Sequence, residues 1–318
     1  MTWKLRPART AIALAASLPL VLGGCAAADS SATEAPNATA QSTTSVERST
    51  DIERNLDPVM GDLEIGASAR VGIAAVNTVT GESYEHRADE SFALCSTFKT
   101  YAAAEVLRRA RAGATSLDKH VTIEPGKVVE NSPVTGPAAG TSMPLAQIAR
   151  AALTHSDNTA GNYLLEEIGG PPAVTAIARE MGDDTTRLDR WETDLNEALR
   201  GDPRDTSTPG ELADGYEKLL LGDGLFDADR ERLVDWMRES TTSEQRIRAA
   251  LPPGWSAADK TGGGSFGTAN DAGVVWSPSG EPIVLVILTD STTNRADEPA
   301  NNRVISEAAA AVIDALGS

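Results

Sequence analysis

The sequence has few of the residues on which disulfide scaffolds and metal centres depend. Its 318 residues include only two cysteines, Cys25 and Cys95, and three histidines. Two cysteines exclude a disulfide framework and any cysteine-rich zinc or iron–sulfur site, and three histidines disfavour a multi-histidine metal centre. Any chemistry must therefore come mostly from Ser, Lys, Glu, Asn and Arg.

Positive charge is also scarce. Lys and Arg number 28 against 46 Asp and Glu, a formal charge of −18. Such a chain repels phosphate backbones, so nucleic acids are excluded as natural partners, and its self-repulsion favours a monomer. Since 41% of the residues are apolar, the chain can still bury a sizeable core.

The first 24 residues have the layout of an export signal. Lys4, Arg6 and Arg9 precede an apolar run over residues 11–22 that is too short to span a bilayer comfortably. Small residues then stand just before Cys25, as in a bacterial lipobox, which predicts a lipidated cysteine and attachment to the outer face of the cell membrane. Ordinary cleavage needs the same features and would give a secreted or periplasmic protein.

Residues 25–50 are almost all Ala, Ser, Thr and short polar residues. They cannot bury enough apolar surface to order themselves, so we expect a disordered linker and a folded domain over residues 51–318.

The folded region predicts strands at both ends and helices between them. Apolar runs near 70–77, 272–276 and 282–288 indicate strands, and residues 83–86 would form a return strand after a turn at 80–82. An Ala-rich helix follows over 302–316. Helical patterns fill the middle. We therefore predict an α+β fold: an antiparallel sheet from both chain ends, flanked by terminal helices (residues 51–90 and 245–318), with an inserted all-α part (residues 91–244) and a cleft between them.

A candidate nucleophile stands at the start of the first helical pattern. Ser96 and Lys99 are three residues apart, which places their Cβ atoms about 5–6 Å apart on one helical face. A neutral lysine amine there could accept the serine proton, and the helix N-terminus favours developing negative charge. Taken alone, the pair favours the plainer interpretation of a serine helix cap followed by a solvated lysine.

Two further motifs offer polar groups from loops. Ser156-Asp157-Asn158 lies between two helical patterns, and Lys260-Thr261-Gly262 is followed by Gly263 and Gly264, where no side chain would keep a ligand from the backbone. A helix cap and a glycine-rich turn are the plain alternatives.

The last motif lies in a long irregular segment. Glu192 and Asn196 are four residues apart and could hold one water together, while Arg190 and Asp205 could close the segment electrostatically. A solvated acidic loop is the plain alternative.

Together these four motifs resemble the class A serine β-lactamases, from about Asp51 to the C-terminus. The resemblance implies hydrolysis of β-lactam antibiotics, and so resistance to them, through a serine acyl-enzyme, with no metal or organic cofactor. Ser96 would be the nucleophile, with Lys99 and Glu192 managing its proton; which of the two acts as base is disputed in the family.

The resemblance also implies roles for the remaining site residues. Ser156 would protonate the lactam nitrogen, Asn196 would help Glu192 to position water, and Asn158 would hold the substrate side-chain amide. The backbone N–H groups of Ser96 and Gly263 would form an oxyanion hole. The substrate carboxylate would bind Lys260, Thr261 and Arg246, although Arg248 stands only two residues from Arg246.

The sequence departs from the commoner family pattern at two places. Asn131 stands where many relatives carry an aromatic residue that packs on the ligand. Gly264 stands where some relatives have a cysteine bonded to the equivalent of Cys95, so we expect no such bridge and weaker carbapenem turnover.

Two other functions remain open. A penicillin-binding D-alanyl-D-alanine peptidase shares the Ser/Lys and Lys-Thr-Gly elements but lacks the glutamate loop. A non-catalytic envelope lipoprotein that senses β-lactams or binds cell wall would be acylated, or would bind, without turnover.

Overall fold

The computed structural model describes residues 38–317, with side chains from residue 45 onward. The predicted export signal and Cys25 lie outside the described residues. The helices of the described chain are α1 (Ala38–Ala67), α2 (Lys99–Arg111), α3 (Leu145–Thr154), α4 (Asn158–Ile168), α5 (Pro171–Glu180), α6 (Pro209–Leu220), α7 (Asp227–Arg238), α8 (Ile247–Ala250) and α9 (Asn302–Leu316). The strands are β1 (Ala69–Asn77), β2 (Ser83–His86), β3 (Phe92–Ala93), β4 (His120–Thr122), β5 (Ser142–Pro144), β6 (Thr206–Ser207), β7 (Ser256–Gly263), β8 (Ala269–Trp276) and β9 (Pro282–Ser291).

The main sheet joins both ends of the folded chain. Its strand order is β2-β1-β9-β8-β7, and every neighbouring pair is antiparallel. This confirms the predicted α+β architecture. The order leaves β7 at an edge of the sheet, where alternate backbone groups face away from the neighbouring strand.

Alternating side chains divide the core between the two faces of this sheet. Leu285 of β9 packs in a cluster with α1 and α9, whereas the next residue, Val286, packs in the cluster formed by the helices of the α part. Because side chains alternate along a strand, the single apolar run of β9 contributes residues to the core on both faces of the sheet. Burying one such aliphatic side chain contributes about 1.5–3 kcal/mol.

Helix α2 is the central helix of the α part. Its residues from Lys99 to Ala104 are all buried, as are Val106 and Leu107. The N-terminal half of α2 therefore has no solvent-exposed face, and neighbouring elements pack against it on every side. The rigid packing of α2 fixes the position of the residues at its N-terminal end.

The structure differs from the sequence expectation in three respects. The part predicted to be all-α also contains the short strands β3, β4, β5 and β6, which pair in two small two-stranded sheets. Residues 38–50, assigned to the disordered linker, belong to α1, where the Ser49 hydroxyl accepts a 2.9 Å hydrogen bond from the backbone N–H of Ser83 and Arg48 pairs with Glu82 at 3.1 Å. These distant contacts stabilise a helix that local composition does not predict. Strand β7 was also missed, because its small and charged residues lack the apolar alternation of a strand.

No helix within residues 38–317 combines the length and the apolar character that crossing a membrane requires.

The early start of α1 can be tested with two chains that begin at residue 38 and at residue 51. The shorter chain should lose about 1 kcal/mol of unfolding free energy, since it lacks the Ser49 and Arg48 contacts. Equal melting temperatures for the two chains would show that residues 38–50 contribute nothing to the fold.

Candidate active site

Ser96 and Lys99 meet where α2 begins. Ser96 lies in a short 3-10 turn, Cys95–Phe98, and Lys99 is the first residue of α2. The Lys99 Nζ donates a 2.8 Å hydrogen bond to the Ser96 Oγ. The three-residue spacing brings the Lys99 amine into hydrogen-bond contact with the Ser96 hydroxyl, as predicted. Ser96 itself precedes the α-helix.

The Lys99 amine is completely buried and contacts three further oxygens. It lies 2.7 Å from Asn158 Oδ1, 2.9 Å from the Ser156 carbonyl oxygen and 2.9 Å from Glu192 Oε1. Ser156 has a positive φ of 54°, which turns its backbone out of the preceding helix path. Because Lys99 donates to the Ser96 oxygen, the hydroxyl proton of Ser96 is left free for another acceptor.

Glu192 provides that acceptor. Its Oε1 lies 3.2 Å from the Ser96 Oγ, and its Oε2 accepts a 2.5 Å hydrogen bond from Asn196 Nδ2. The side chain of Glu192 has 0% exposure. The carboxylate is thus held between the serine and an amide on its own loop.

Asn162 of α4 anchors the main chain of Glu192. Its Oδ1 accepts from the Glu192 N–H, and its Nδ2 donates to the Glu192 carbonyl oxygen, each at 2.9 Å. The peptide bond between Glu192 and Thr193 is cis. Sequence reasoning missed Asn162, because an isolated asparagine inside a helical pattern gives no signal of a long-range contact.

The predicted closure of this loop is confirmed. Arg190 Nε donates to Asp205 Oδ2 at 2.5 Å, and Asp205 Oδ1 accepts from the backbone N–H groups of Asp189 and Arg190 at 2.8 and 2.9 Å. Asp205 is buried, so these bonds stabilise it in an apolar setting. The two ends of the loop that carries Glu192 are therefore fixed together.

A second buried lysine approaches from β7. Lys260 Nζ donates to Ser156 Oγ at 2.9 Å and to the Thr261 carbonyl oxygen at 2.7 Å. Burial, followed by the nearby charge of Lys99, lowers the pKa of Lys260 well below its usual value. Ser156 therefore offers its carbonyl to one lysine and its hydroxyl to the other.

The structure separates the two candidate arginines. Arg246 donates to the carbonyl oxygens of Gly262 and Asn270, both at 2.6 Å, and borders the cleft. Arg248 instead points away from it and pairs with Asp259 at 2.8 Å. Burial lowers the pKa of Arg246 from its ordinary value.

The cluster opens onto a cleft of about 640 Å³, and Lys99, Glu192 and Lys260 lie behind its lining residues. The cleft is lined by Ser96, Asn131, Ser132, Pro133, Pro137, His155, Ser156, Asn158, Asn196, Thr242, Arg246, Thr261, Gly262 and Gly263. Thr242 was not predicted; its hydroxyl lies 2.7 Å from that of Thr261. A larger depression of about 950 Å³ lies around Arg111 and Phe226, but it has none of the predicted site residues.

Cys95 is a free, buried thiol. Burial and the charge of Glu192 raise its pKa to about 12, which makes it a poor nucleophile. A Cβ on Gly264 would lie 2.8 Å from its sulfur, so the two positions do adjoin. Within residues 38–317, no cluster of three His, Cys, Asp or Glu side chains is arranged to hold a metal ion.

Known proteins match this chain along most of its length. A model of the beta-lactamase enzyme family matches residues 53–316. Beta-lactamase AST-1 of Nocardia asteroides is 44% identical over 82% of this chain and 84% of its own, and beta-lactamase FAR-1 of Nocardia farcinica is 45% identical over 80% of each. The solved structure of a mutant of the class A beta-lactamase from the last common ancestor of Gram-negative bacteria superposes with a TM-score of 0.78 at 45% identity, covering 82% of this chain and 98% of that one.

The chain therefore belongs to the beta-lactamase enzyme family, whose activity is hydrolysis of β-lactams. Within that family its relatives and structural neighbours make it a class A enzyme.

The packing of Lys99 can be tested through Gly161 of α4. A Cβ at residue 161 would lie 2.7 Å from Lys99 Cε, so Gly161→Ala should displace the amine from Ser96. We expect stopped-flow acylation by a penicillin to slow at least about tenfold, because positioning governs such proton transfers. Gly126→Ala, where a Cβ meets nothing within 4 Å, is the matched control. Unchanged acylation in both variants would contradict the assigned position of Lys99.

Proposed function

We propose that this enzyme opens β-lactams through an ester on Ser96 and then hydrolyses that ester. The observation that carries the proposal is the buried cluster in which Ser96 Oγ lies 2.8 Å from Lys99 Nζ and 3.2 Å from Glu192 Oε1. A serine hydroxyl is a weak nucleophile until a neighbouring base takes its proton. Two candidate bases contact the same oxygen here: Glu192 could receive the proton on its carboxylate, and Lys99 could receive it with its amine neutral.

The attack creates negative charge on the lactam oxygen. The backbone N–H groups of Ser96 and Gly263 would donate to it from opposite sides of the cleft, one at the start of α2 and one on the edge strand β7. Each such donor is worth about 2.7–4 kcal/mol in another serine hydrolase.

Breaking the lactam C–N bond requires a proton on nitrogen. Ser156 is suited to deliver it, because its hydroxyl faces the cleft and Lys260 Nζ lies 2.9 Å behind it. As Ser156 gives up its proton to nitrogen, Lys260 can replace it, and the short hydrogen bond supplies the route.

Polar groups along the cleft would orient the substrate. Thr261, Lys260 and Arg246 form a basic and hydroxylic end that suits a carboxylate. Arg246 would contribute through its Nη2, since its Nε and Nη1 already donate to Asn302, Gly262 and Asn270. Asn158, whose Oδ1 accepts from Lys99, would use its amide to hold the substrate side chain.

Hydrolysis of the ester needs an activated water. Glu192 and Asn196 form a 2.5 Å pair beside Ser96, and a water bound alongside both side chains would lie close to the ester carbonyl. The carboxylate would take the proton of that water as the water attacks. A peptidase or a sensor without this pair would remain acylated.

Removing the carboxylate tests this step. Glu192→Ala should still acquire a penicilloyl adduct on Ser96 but slow its release by about a hundredfold to ten-thousandfold, the usual contribution of a positioned base. Intact-mass spectrometry follows the adduct with time. Asp194→Ala, which removes an exposed acid from the same loop, should release the adduct normally.

The outcomes separate the alternatives. A Glu192→Ala protein that turns over normally without an adduct would reject the role of Glu192, and turnover by Ser96→Ala would reject Ser96 as the nucleophile. A wild-type protein that stops after about one equivalent of a chromogenic cephalosporin would support a peptidase or a sensor instead.

Arg246 provides a separate test of carboxylate binding. Arg246→Ala should raise KM for benzylpenicillin about tenfold or more with a smaller change in kcat, because it removes a charge-assisted contact made throughout binding. Arg187→Ala, at an exposed residue paired with Asp189, is the control. An unchanged KM in Arg246→Ala would assign the carboxylate to Lys260 and Thr261 alone.

The N-terminal region completes the proposal. Residues 1–24 would direct export and Cys25 would carry a lipid, holding a monomeric enzyme at the outer face of the cell membrane, where its activity would confer β-lactam resistance.

A further inference from the structure

Two buried acids lie behind the proposed carboxylate site. Asp259 on β7 and Asp271 on β8 are both 0% exposed. The strand register pairs Thr261 with Asp271. Asp259 lies two residues before Thr261 on β7, and alternate residues of a strand share a face. The side chains of Asp259 and Asp271 therefore lie on the same face of the sheet as diagonal neighbours. The proposed reaction uses neither of them.

Each acid has one oxygen that is satisfied and one that is not. Arg248 Nε donates to Asp259 Oδ1 at 2.8 Å, and the Ile247 N–H donates to Asp271 Oδ2 at 3.2 Å. Asp259 Oδ2 and Asp271 Oδ1 are buried and make no hydrogen bond, although the Ser243 hydroxyl lies near Asp259. The two carboxyls are nevertheless close enough to hydrogen-bond to each other once one of them carries a proton. A single proton would satisfy both orphan oxygens.

The surrounding charges determine which acid holds the proton. Groups that face the pair come from every neighbouring element: Ser243 before α8, Arg246 and Arg248 at α8, Lys260 on β7 and Tyr216 on α6. Burial raises the pKa of Asp271 well above its usual value, and the charge of Asp259 raises it further. Burial also raises the pKa of Asp259, but Arg248 opposes that change.

We propose that Asp259 and Asp271 share one proton at neutral pH, carried on Asp271, and that the neutral Asp271 carboxyl is a positioning group for Arg246. Its Oδ2 fixes the backbone N–H of Ile247, the residue that follows Arg246. With the proton in place, the pair carries one negative charge against the two guanidinium cations of Arg246 and Arg248, beside the Lys260 amine. The carboxylate site therefore keeps an excess of positive charge. This last step rests on the proposed function.

Two isosteric variants test the location of the proton. In Asp271→Asn, the amide oxygen can accept from Ile247 and the NH₂ can donate to Asp259, which reproduces the protonated carboxyl. Its melting temperature at pH 7 should stay within about 2 °C of wild type. Asp259→Asn removes the counter-ion of partly buried Arg248, leaves Arg248 without its carboxylate partner and should lower the melting temperature by about 5 °C or more. Equal losses in the two variants would overturn the proposal.

The pH dependence of stability should differ as well. A carboxyl whose pKa is raised in the folded state contributes stability that is present at low pH and is lost as pH rises through its folded pKa. Wild type should therefore lose stability relative to Asp271→Asn as pH increases. Parallel melting curves for the two proteins from acid to alkaline pH would contradict a protonated Asp271.

Infrared spectroscopy gives a direct readout. Wild type at pH 7 should show the carbonyl stretch of a protonated carboxyl, and Asp271→Asn should lose it; an unchanged spectrum would overturn the proposal. Because melting and infrared measurements use no β-lactam, they stand or fall independently of the proposed reaction.

The positioning role is read from kinetics. KM for benzylpenicillin should agree between wild type and Asp271→Asn at pH 7 to within about twofold, since the amide keeps the Ile247 contact. Asp271→Ala, which removes that contact, should raise KM more than it lowers kcat. If Asp271→Ala left KM unchanged, Asp271 would not position Arg246.

Discussion

The burial of the Lys99 amine is the constraint on which the site depends. An amine removed from water must be compensated by nearby oxygens. Here four oxygens come from three segments: the turn before α2, the segment from Ser156 to Asn158, and the loop that carries Glu192. Those segments must fold together before the amine is satisfied. The arrangement that stabilises the lysine is therefore the same one that places two proton acceptors on the serine.

Charge is balanced in layers behind this cluster. Lys99 contacts Glu192, and Lys260 contacts Ser156. The acid pair Asp259 and Asp271 adjoins Arg248 and Arg246. Since each buried charge lies close to one of opposite sign or to a hydrogen-bonding partner, neither lysine stands as an isolated ion. The cleft is consequently cationic at the end proposed for a carboxylate, in a protein whose formal net charge is −18.

Short spacings were predictable from the sequence, and long-range contacts were not. The position of Lys99 on Ser96 follows from helical geometry, and α9 follows from its apolar period. The anchor at Asn162, the start of α1 at Ala38 and the edge strand β7 depend on partners far away in the chain: residue 192, Ser83 and β8. No local sequence pattern predicts these long-range contacts. The choice of Arg246 over Arg248 likewise required the fold, because both side chains precede the same strand at similar separations.

The most direct test of the central claim is rapid-quench peptide mass spectrometry of the wild-type enzyme during penicillin turnover. The account predicts a penicilloyl group on the tryptic peptide of residues 88–99, localised to Ser96, that forms early and disappears when substrate is exhausted. Sustained turnover with no modification of that peptide at any quench time would contradict it.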